Sequence, residues 1–592
     1  MSLIAPLAFA ITMGLLGVIS NTCYYLNIPT EKYIYIIYII AFIVLPSLWK
    51  RKQLLRMNFQ TVDLTKMEKI LGLLILYMIF LYIHKAFAPW SDYDEVARYG
   101  YKTRLIGLGY SHQDKIELGW PAFAESMYSY FYYAYKTMIL PKLVKIFGVL
   151  FCASLLGFII NLYTKRILFS LLGICCFLLT PEFSFKASSM KPDNVLMLFE
   201  LCGFTCFIIL GKFRSVLGKD SFLKFSFCAL SFILIAFAVR TSAIYGLIIV
   251  FSVITYLYKG DLKYYLILIS LCLPIGVIVN WGYIQNIIDF SNPFYPLGGA
   301  WNMMFENPSF KWPISDWQSR YNIFLGNAIL EILYIPVYAS LGFTTTLFGW
   351  ADFIVHPYVK TASISWANPL FIFTIPSILF LIENKEGRWL YAFYISLFLF
   401  WFLGIQYTRI FFAETAILIL IIMIIINYKY TFKTLEYFRK IVMISVISIV
   451  VVFPIYHSLH AFIRMPNNAL KLPTKKNRYT SNQRYYKYAS EILFQRYNPS
   501  QFPYSIEDIE KINLQLNEIN KPEIASTIPI AHIFFQEGNF TNITYQESEM
   551  TIWDPGEIID DADCFLGHIG ENKSTFPNEI FRKSNGYGFW CK

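Results

Sequence analysis

Apolar runs of about 17–25 residues, each long enough to span about 30 Å of hydrocarbon, recur from residue 3 to about residue 458. They show no strict alternation of apolar and polar positions. A β-barrel is therefore excluded, and helices that satisfy their own backbone are expected. The pattern predicts thirteen helices, at about 3–21, 33–49, 70–88, 139–162, 168–181, 193–211, 225–239, 241–258, 264–281, 366–383, 389–405, 410–427 and 441–458. Residues 168–181 and 225–239 are short for a span, so each is expected to tilt or to borrow flanking residues.

Beyond residue 459 the pattern changes. RYYKYASEILFQRY (484–497) and SIEDIEKINLQLNEI (505–519) have helical periodicity, whereas IASTIPIAHIFF (524–535) and ITYQES (543–548) read as strands. The expected fold class is an all-α polytopic membrane protein with a small C-terminal extracytoplasmic α/β or α+β domain. Its parts are two N-terminal helices and a charged loop (1–69), a membrane domain (70–458) and a soluble tail (459–592).

Composition agrees with this pattern. Charged residues make up 15% of the chain and hydrophobic ones 56%, and mean hydropathy is +0.48, whereas a soluble chain carries about 25% charged residues. The run at 3–21 has neither a basic leader nor a small-residue cleavage site, so it is expected to be retained as a helix rather than removed as a signal peptide. The net charge of +11 is spread among membrane loops, which argues for positive-inside bias and not for nucleic acid. Loops 51–69, 212–224 and 427–440 carry five, four and four Lys/Arg respectively and fall on one side, which is then cytoplasmic. Lys142 and Lys145 count against that assignment, because they open a helix from the opposite face. The N-terminus is then inside and the tail outside, as in a bacterial inner-membrane protein with a periplasmic domain. Eight of the ten cysteines lie in or beside apolar runs and behave as small core hydrophobes. Cys564 and Cys591 lie in the tail and could form a disulfide if it is extracytoplasmic.

The remaining charge gathers on the outer side. PWSDYDEVARYGYKTRLIG (89–107) packs Asp92, Asp94 and Glu95 beside Arg98, Lys102 and Arg104. A single acid would cap a helix over 95–108; three acids beside cations suit proton acceptance coupled to holding a departing phosphate. Glu125, after Trp120-Pro121, is a buried partner for Arg98 or Arg104, or a purely structural acid. Lys191 and Asp193 stand at an outer helix start, where Asp193 either caps the helix or serves function. Arg240 is the only charge between Lys224 and Lys259; it either snorkels or binds phosphate bidentately. Arg409, in Gln406-Tyr407-Thr408-Arg409, either holds an anion at a helix start or pairs with Glu414. Asn292-Pro293-Phe294-Tyr295-Pro296 precedes a long outer loop, 298–365, which reads as a lid or as a plain ordered loop.

Together these motifs resemble the GT-C superfamily of integral-membrane glycosyltransferases, which use polyprenyl-phosphate-linked sugars on the non-cytoplasmic face. The likeness is to its aminoarabinose-transferase and protein-mannosyltransferase branches. It rests on Asp92-Tyr93-Asp94-Glu95 as the acidic pair of the first outer loop and on Asp193-Asn194-Val195-Leu196 as the second acidic motif. Arg240, Gln406 to Arg409, and Ser291 to Pro296, with Ser in place of the family's Gly, complete it. It covers roughly residues 70–430, so 70–458 would be the catalytic membrane domain. Two helices precede the shared module, and Tyr99 lies one residue further from the acidic pair than in the aminoarabinose transferases. Which of Asp92 and Asp94 is catalytic therefore stays open.

The resemblance implies that Arg240, Arg409 and Lys191 clamp the donor phosphate. Asp94 or Asp92, beside Glu95, takes the acceptor's proton, and a single displacement inverts the sugar carbon. Asp193, Glu125, Arg98, Lys102 and Tyr295 would support the acceptor or the site. The acceptor is an extracytoplasmic glycan, lipid A, O-antigen or protein, and the donor chain stays in the bilayer. No cofactor is required by these residues; whether Mg²⁺ or Mn²⁺ joins Asp92 and Asp94 is open. Two other classes compete. A transporter or flippase of a lipid-linked substrate would place charges near the midplane and break helices in both halves. A polysaccharide polymerase or ligase would use Lys311, Arg320, His356 and Lys360 of the outer loop.

Overall fold

The structure is a computed structural model. It describes residues 3–29, 64–86, 99–107, 109, 111–112, 122–135, 139–180, 190–257, 262–290, 293, 336, 368–383, 385–403 and 411–463, and the five strands named below. In chain order the helices are α1 (Ile4–Tyr25), α2 (Lys66–Ala86), α3 (Gly100–Gly107), α4 (Phe123–Tyr135), α5 (Ile139–Thr164), α6 (Ile167–Leu178) and α7 (Asp193–Phe213). They continue with α8 (Lys219–Val239), α9 (Ile244–Leu257), α10 (Leu262–Val279), α11 (Trp281–Phe290), α12 (Lys385–Leu403), α13 (Phe412–Asn427) and α14 (Lys433–Ile463).

Seven of the described helices, α1, α2, α5, α7, α8, α10 and α14, are long and apolar enough to cross a bilayer. The chain is a multi-pass membrane protein. α7 is buried on every side from Asp193 to Leu210, as is α13 from Phe412 to Ile426, the arrangement expected of helices that are apolar all round. The helices around them turn large apolar side chains outward: Leu73 and Leu76 on α2, Leu273 on α10, Ile444 and Val451 on α14. In water such a surface would be anomalous; against lipid it is the solvated face. Of the two short predicted spans, 225–239 borrows residues back to Lys219, while 168–181 remains the 12-residue α6. The predicted span 33–49 lies outside the described residues.

Tight turns and small residues set the packing. Lys165, at φ 56°, closes α5 in the left-handed conformation that ends many helices, and α6 begins two residues later. α7 and α8 run antiparallel, joined by a short turn, and Gly203 lets them meet closely. A Cβ at Gly203 would stand 2.6 Å from Ile233 Cγ1 and 2.9 Å from the Ala229 carbonyl oxygen.

One expected span takes a different form. Within 366–383, the described residues 368–383 form no α-helix but two 3-10 stretches, Pro369–Phe373 and Pro376–Ile382. Each proline lacks an N–H and crowds the preceding turn, so α-helical bonding cannot run through it. A 3-10 helix rises about 2.0 Å per residue, more than an α-helix, so the segment is longer than its residue count suggests. At one end Asn368 meets α6, and at the other Glu383 accepts the N–H groups of Thr431 and Phe432 just before α14. Those two donors hold the Glu383 carboxyl below the usual carboxylate range.

Asn368 is fully buried, and its amide donates to the Cys176 carbonyl and to Thr180 Oγ1, both at 2.8 Å. Its Oδ1 accepts from Leu370 N at 2.9 Å. Asn368→Ala strands these partners, so a loss of about 1–3 kcal/mol is expected, read as a lowered unfolding midpoint in detergent with unchanged helix content.

The tail contributes one sheet of strands β1 (Glu523–Ser526), β2 (Asn542–Tyr545), β3 (Cys564–His568), β4 (Asn578–Arg582) and β5 (Tyr587–Cys591), in the order β2-β1-β3-β5-β4. β1 pairs in parallel with β2 and β3, and β5 pairs antiparallel with β3 and β4. Cys564 stands directly opposite Cys591. β1 and β2 overlap the two strand segments expected from the sequence; β3, β4 and β5 were not anticipated. The helices expected at 484–497 and 505–519 lie outside the described residues.

Candidate functional site

Because α7 and α8 are antiparallel neighbours, the end of α8 returns to the start of α7. Arg240, the first residue after α8, has extended backbone (φ −159°, ψ 137°) and separates α8 from the short 3-10 turn that leads into α9. From there Nη1 donates to Asp193 Oδ1 at 2.5 Å. The Asp193 side chain is 1% exposed and that of Arg240 21%. Asp193 does not cap α7: the capping position is Pro192, and no side chain bonds there. A charge-assisted bond between a buried carboxylate and a guanidinium is among the stronger single contacts a protein makes.

More cations line the same end. Lys142, Lys145 and Lys191 are each about 2–3% exposed, and the Lys145 ammonium donates to the Lys191 carbonyl. Lys142 and Lys145 are buried in the first turns of α5, and Lys145 reaches the start of α7.

Two acids lie near the pair. Glu200 follows Asp193 by two helical turns, hence on the same face and about 10 Å further along the axis. It is 3% exposed, and Glu414, in the first turn of α13, is 7% exposed. Each has one carboxylate oxygen that meets no hydrogen-bond partner among the described residues. Arg240 and Glu414 both lie within electrostatic reach of Glu200. Sequence reasoning passed over Glu200. The signal was present, since an acid inside the apolar run NVLMLFELCGF is a functional candidate by default.

A second group borders this end. Tyr283 donates to the Phe237 carbonyl, and Asn280 donates to the Leu234 carbonyl, which ties the α10–α11 junction to the last turn of α8. Trp281 packs on a small cluster formed by Tyr24, Tyr25, Ile106 and Ala122. Lys102 on α3 and Glu125 on α4 are both buried there, Glu125 close to Tyr25 and Tyr128. His112 meets Asp289 at 3.0 Å, a contact between distant segments that the sequence did not indicate.

The structure thus joins Asp193 to Arg240 and buries Lys191, Lys102 and Glu125. Asp92, Asp94, Glu95, Arg98, Tyr295, Gln406 and Arg409 lie outside the described residues, as does the loop 298–365 apart from Pro336. Arg104 falls within α3, but its side chain is not among those described. The helix expected over 95–108 is described as α3 from Gly100 to Gly107. Among the described residues no group of three or more His, Cys, Asp or Glu side chains could hold a metal ion.

No protein-family model matches the chain, and no curated protein matches it.

Proposed function

We propose that the chain is a glycosyltransferase of the GT-C type, moving a sugar from a polyprenyl-phosphate donor to a glycan, lipid or protein acceptor outside the cytoplasm. The observation that supports this most is the buried Asp193–Arg240 pair at the end of the bundle that also buries Lys191 and Lys145. A donor whose chain stays in lipid needs its phosphate held at the membrane boundary by fixed cations, which stabilise it as the leaving group. Arg240 serves this role, oriented by Asp193, with Lys191 and Arg409 beside it. Asp94 or Asp92 takes the proton of the acceptor hydroxyl or amine as its oxygen or nitrogen attacks the sugar carbon. The bond to the phosphate oxygen breaks with inversion, and the phosphate leaves on its lipid. In this reading the N-terminus faces the cytoplasm, the tail faces a bacterial periplasm, and thirteen segments cross, one of them the 3-10 stretch at 369–382.

The test is mass spectrometry of lipids and glycans extracted from cells with and without the gene. The expected result is a hexose or pentose increment that disappears on deletion. The wild-type gene restores it and the Asp92→Asn/Asp94→Asn double variant, inserted at normal level, does not. An unchanged glycan and lipid profile on deletion would overturn the proposal.

One observation favours a second reading, a transporter of an anionic or lipid-linked substrate. Glu200 lies about 10 Å inside the start of α7, and the segment 369–382 is not α-helical, features that line substrate paths in transporters. Substrate carried intact across sealed vesicles, with no new glycosidic bond, would support that reading and displace the first.

A further inference from the structure

We propose that Cys564 and Cys591 form a disulfide that closes the open end of the tail sheet. The backbone register carries the argument. β3 and β5 are antiparallel, and Cys564, the first residue of β3, is directly paired with Cys591, the last residue of β5. Directly opposed positions in such a ladder share one face of the sheet, with Cα atoms about 4.5 or 5.5 Å apart according to the hydrogen-bond pattern. A disulfide needs a Cα separation of about 4.4–6.8 Å, so either spacing admits the bond without moving a strand.

The other cysteines leave these two as the natural partners. The remaining eight of the ten sit in or beside the membrane helices as free thiols, seven of them buried. The bond would close a covalent loop that contains β4, a five-residue edge strand that is a marginal element on its own. In forming it, two thiols lose two protons and two electrons. The electrons pass to the disulfide of a thiol–disulfide oxidoreductase, which is reduced to a dithiol. The cytosol keeps such pairs reduced, so a bonded pair also assigns the tail to an oxidising compartment.

The experiment uses the full chain in native membranes, quenched with N-ethylmaleimide before lysis, then denatured and digested with trypsin. The expected product is the peptide SNGYGFWCK (584–592) joined to the peptide that ends at Lys573. Reduction should separate them, each gaining one hydrogen, and Cys564→Ser should leave Cys591 fully alkylated. Maleimide on both cysteines of the wild-type protein, or a link from either to another cysteine, would overturn the proposal. The inference shares only its orientation with the sugar-transfer reading. A reduced pair with intact transfer sinks the disulfide alone, and a bonded pair without transfer sinks the transferase alone.

Discussion

Arg240→Met should destabilise the bundle by about 1.5–3 kcal/mol, the usual worth of a hydrogen bond to a charged group. Asp193 is 1% exposed and is held by Arg240 at 2.5 Å; with the guanidinium gone, that charge-assisted bond is lost from the buried carboxylate. The expected outcome is a strongly lowered unfolding midpoint in detergent or nanodiscs, together with loss of the product increment. The double variant Asp193→Asn/Arg240→Met removes both charges, so it should recover much of the stability while remaining inactive. That split separates a structural ion pair from a functional one. If the double variant recovers activity as well as stability, Arg240 is a structural tie and not a phosphate ligand.

Gly203→Leu should have the next largest effect. The Cβ alone would lie 2.6 Å from Ile233 Cγ1 and 2.9 Å from the Ala229 carbonyl, so even Gly203→Ala should cost about 1–3 kcal/mol by overpacking. A leucine forces α7 and α8 apart. Close helix approach at small residues is a main source of packing energy in membranes, and this seam also aligns Asp193 with Arg240. Gly203→Leu is therefore expected to abolish both the folded yield and the product increment. Gly72 on α2 has nothing within 4 Å of its Cβ position, so Gly72→Leu is the matched control and should leave both unchanged. A folded, active Gly203→Leu protein would show that the seam does not position the pair.

Several parts of the site were legible from one kind of signal, a charge where an apolar run should have none. Arg240, Lys191 and Asp193 were found that way, and Glu200 could have been. What the signal lacked was partnership. Asp193 before an apolar run looks the same whether it caps its own helix or meets an arginine 47 residues away. Lys142 and Lys145 likewise look like charge at a helix opening, and their burial appears only once α5 is packed in the bundle. The 3-10 form of 369–382 was legible in Pro369 and Pro376, but hydropathy alone read through them.

The sequence by itself determined that the chain lives in lipid, because an apolar run of that length has no other solvent, and it marked where charge enters the bilayer. It also placed the two tail cysteines apart from the rest. The tertiary structure decided which charges meet, which helices are central, and that Cys564 faces Cys591 across a ladder. Burial in lipid follows from local composition, which one chain segment carries alone. Pairing depends on contacts between segments far apart in the chain, and only the packed helices and the strand register bring those together.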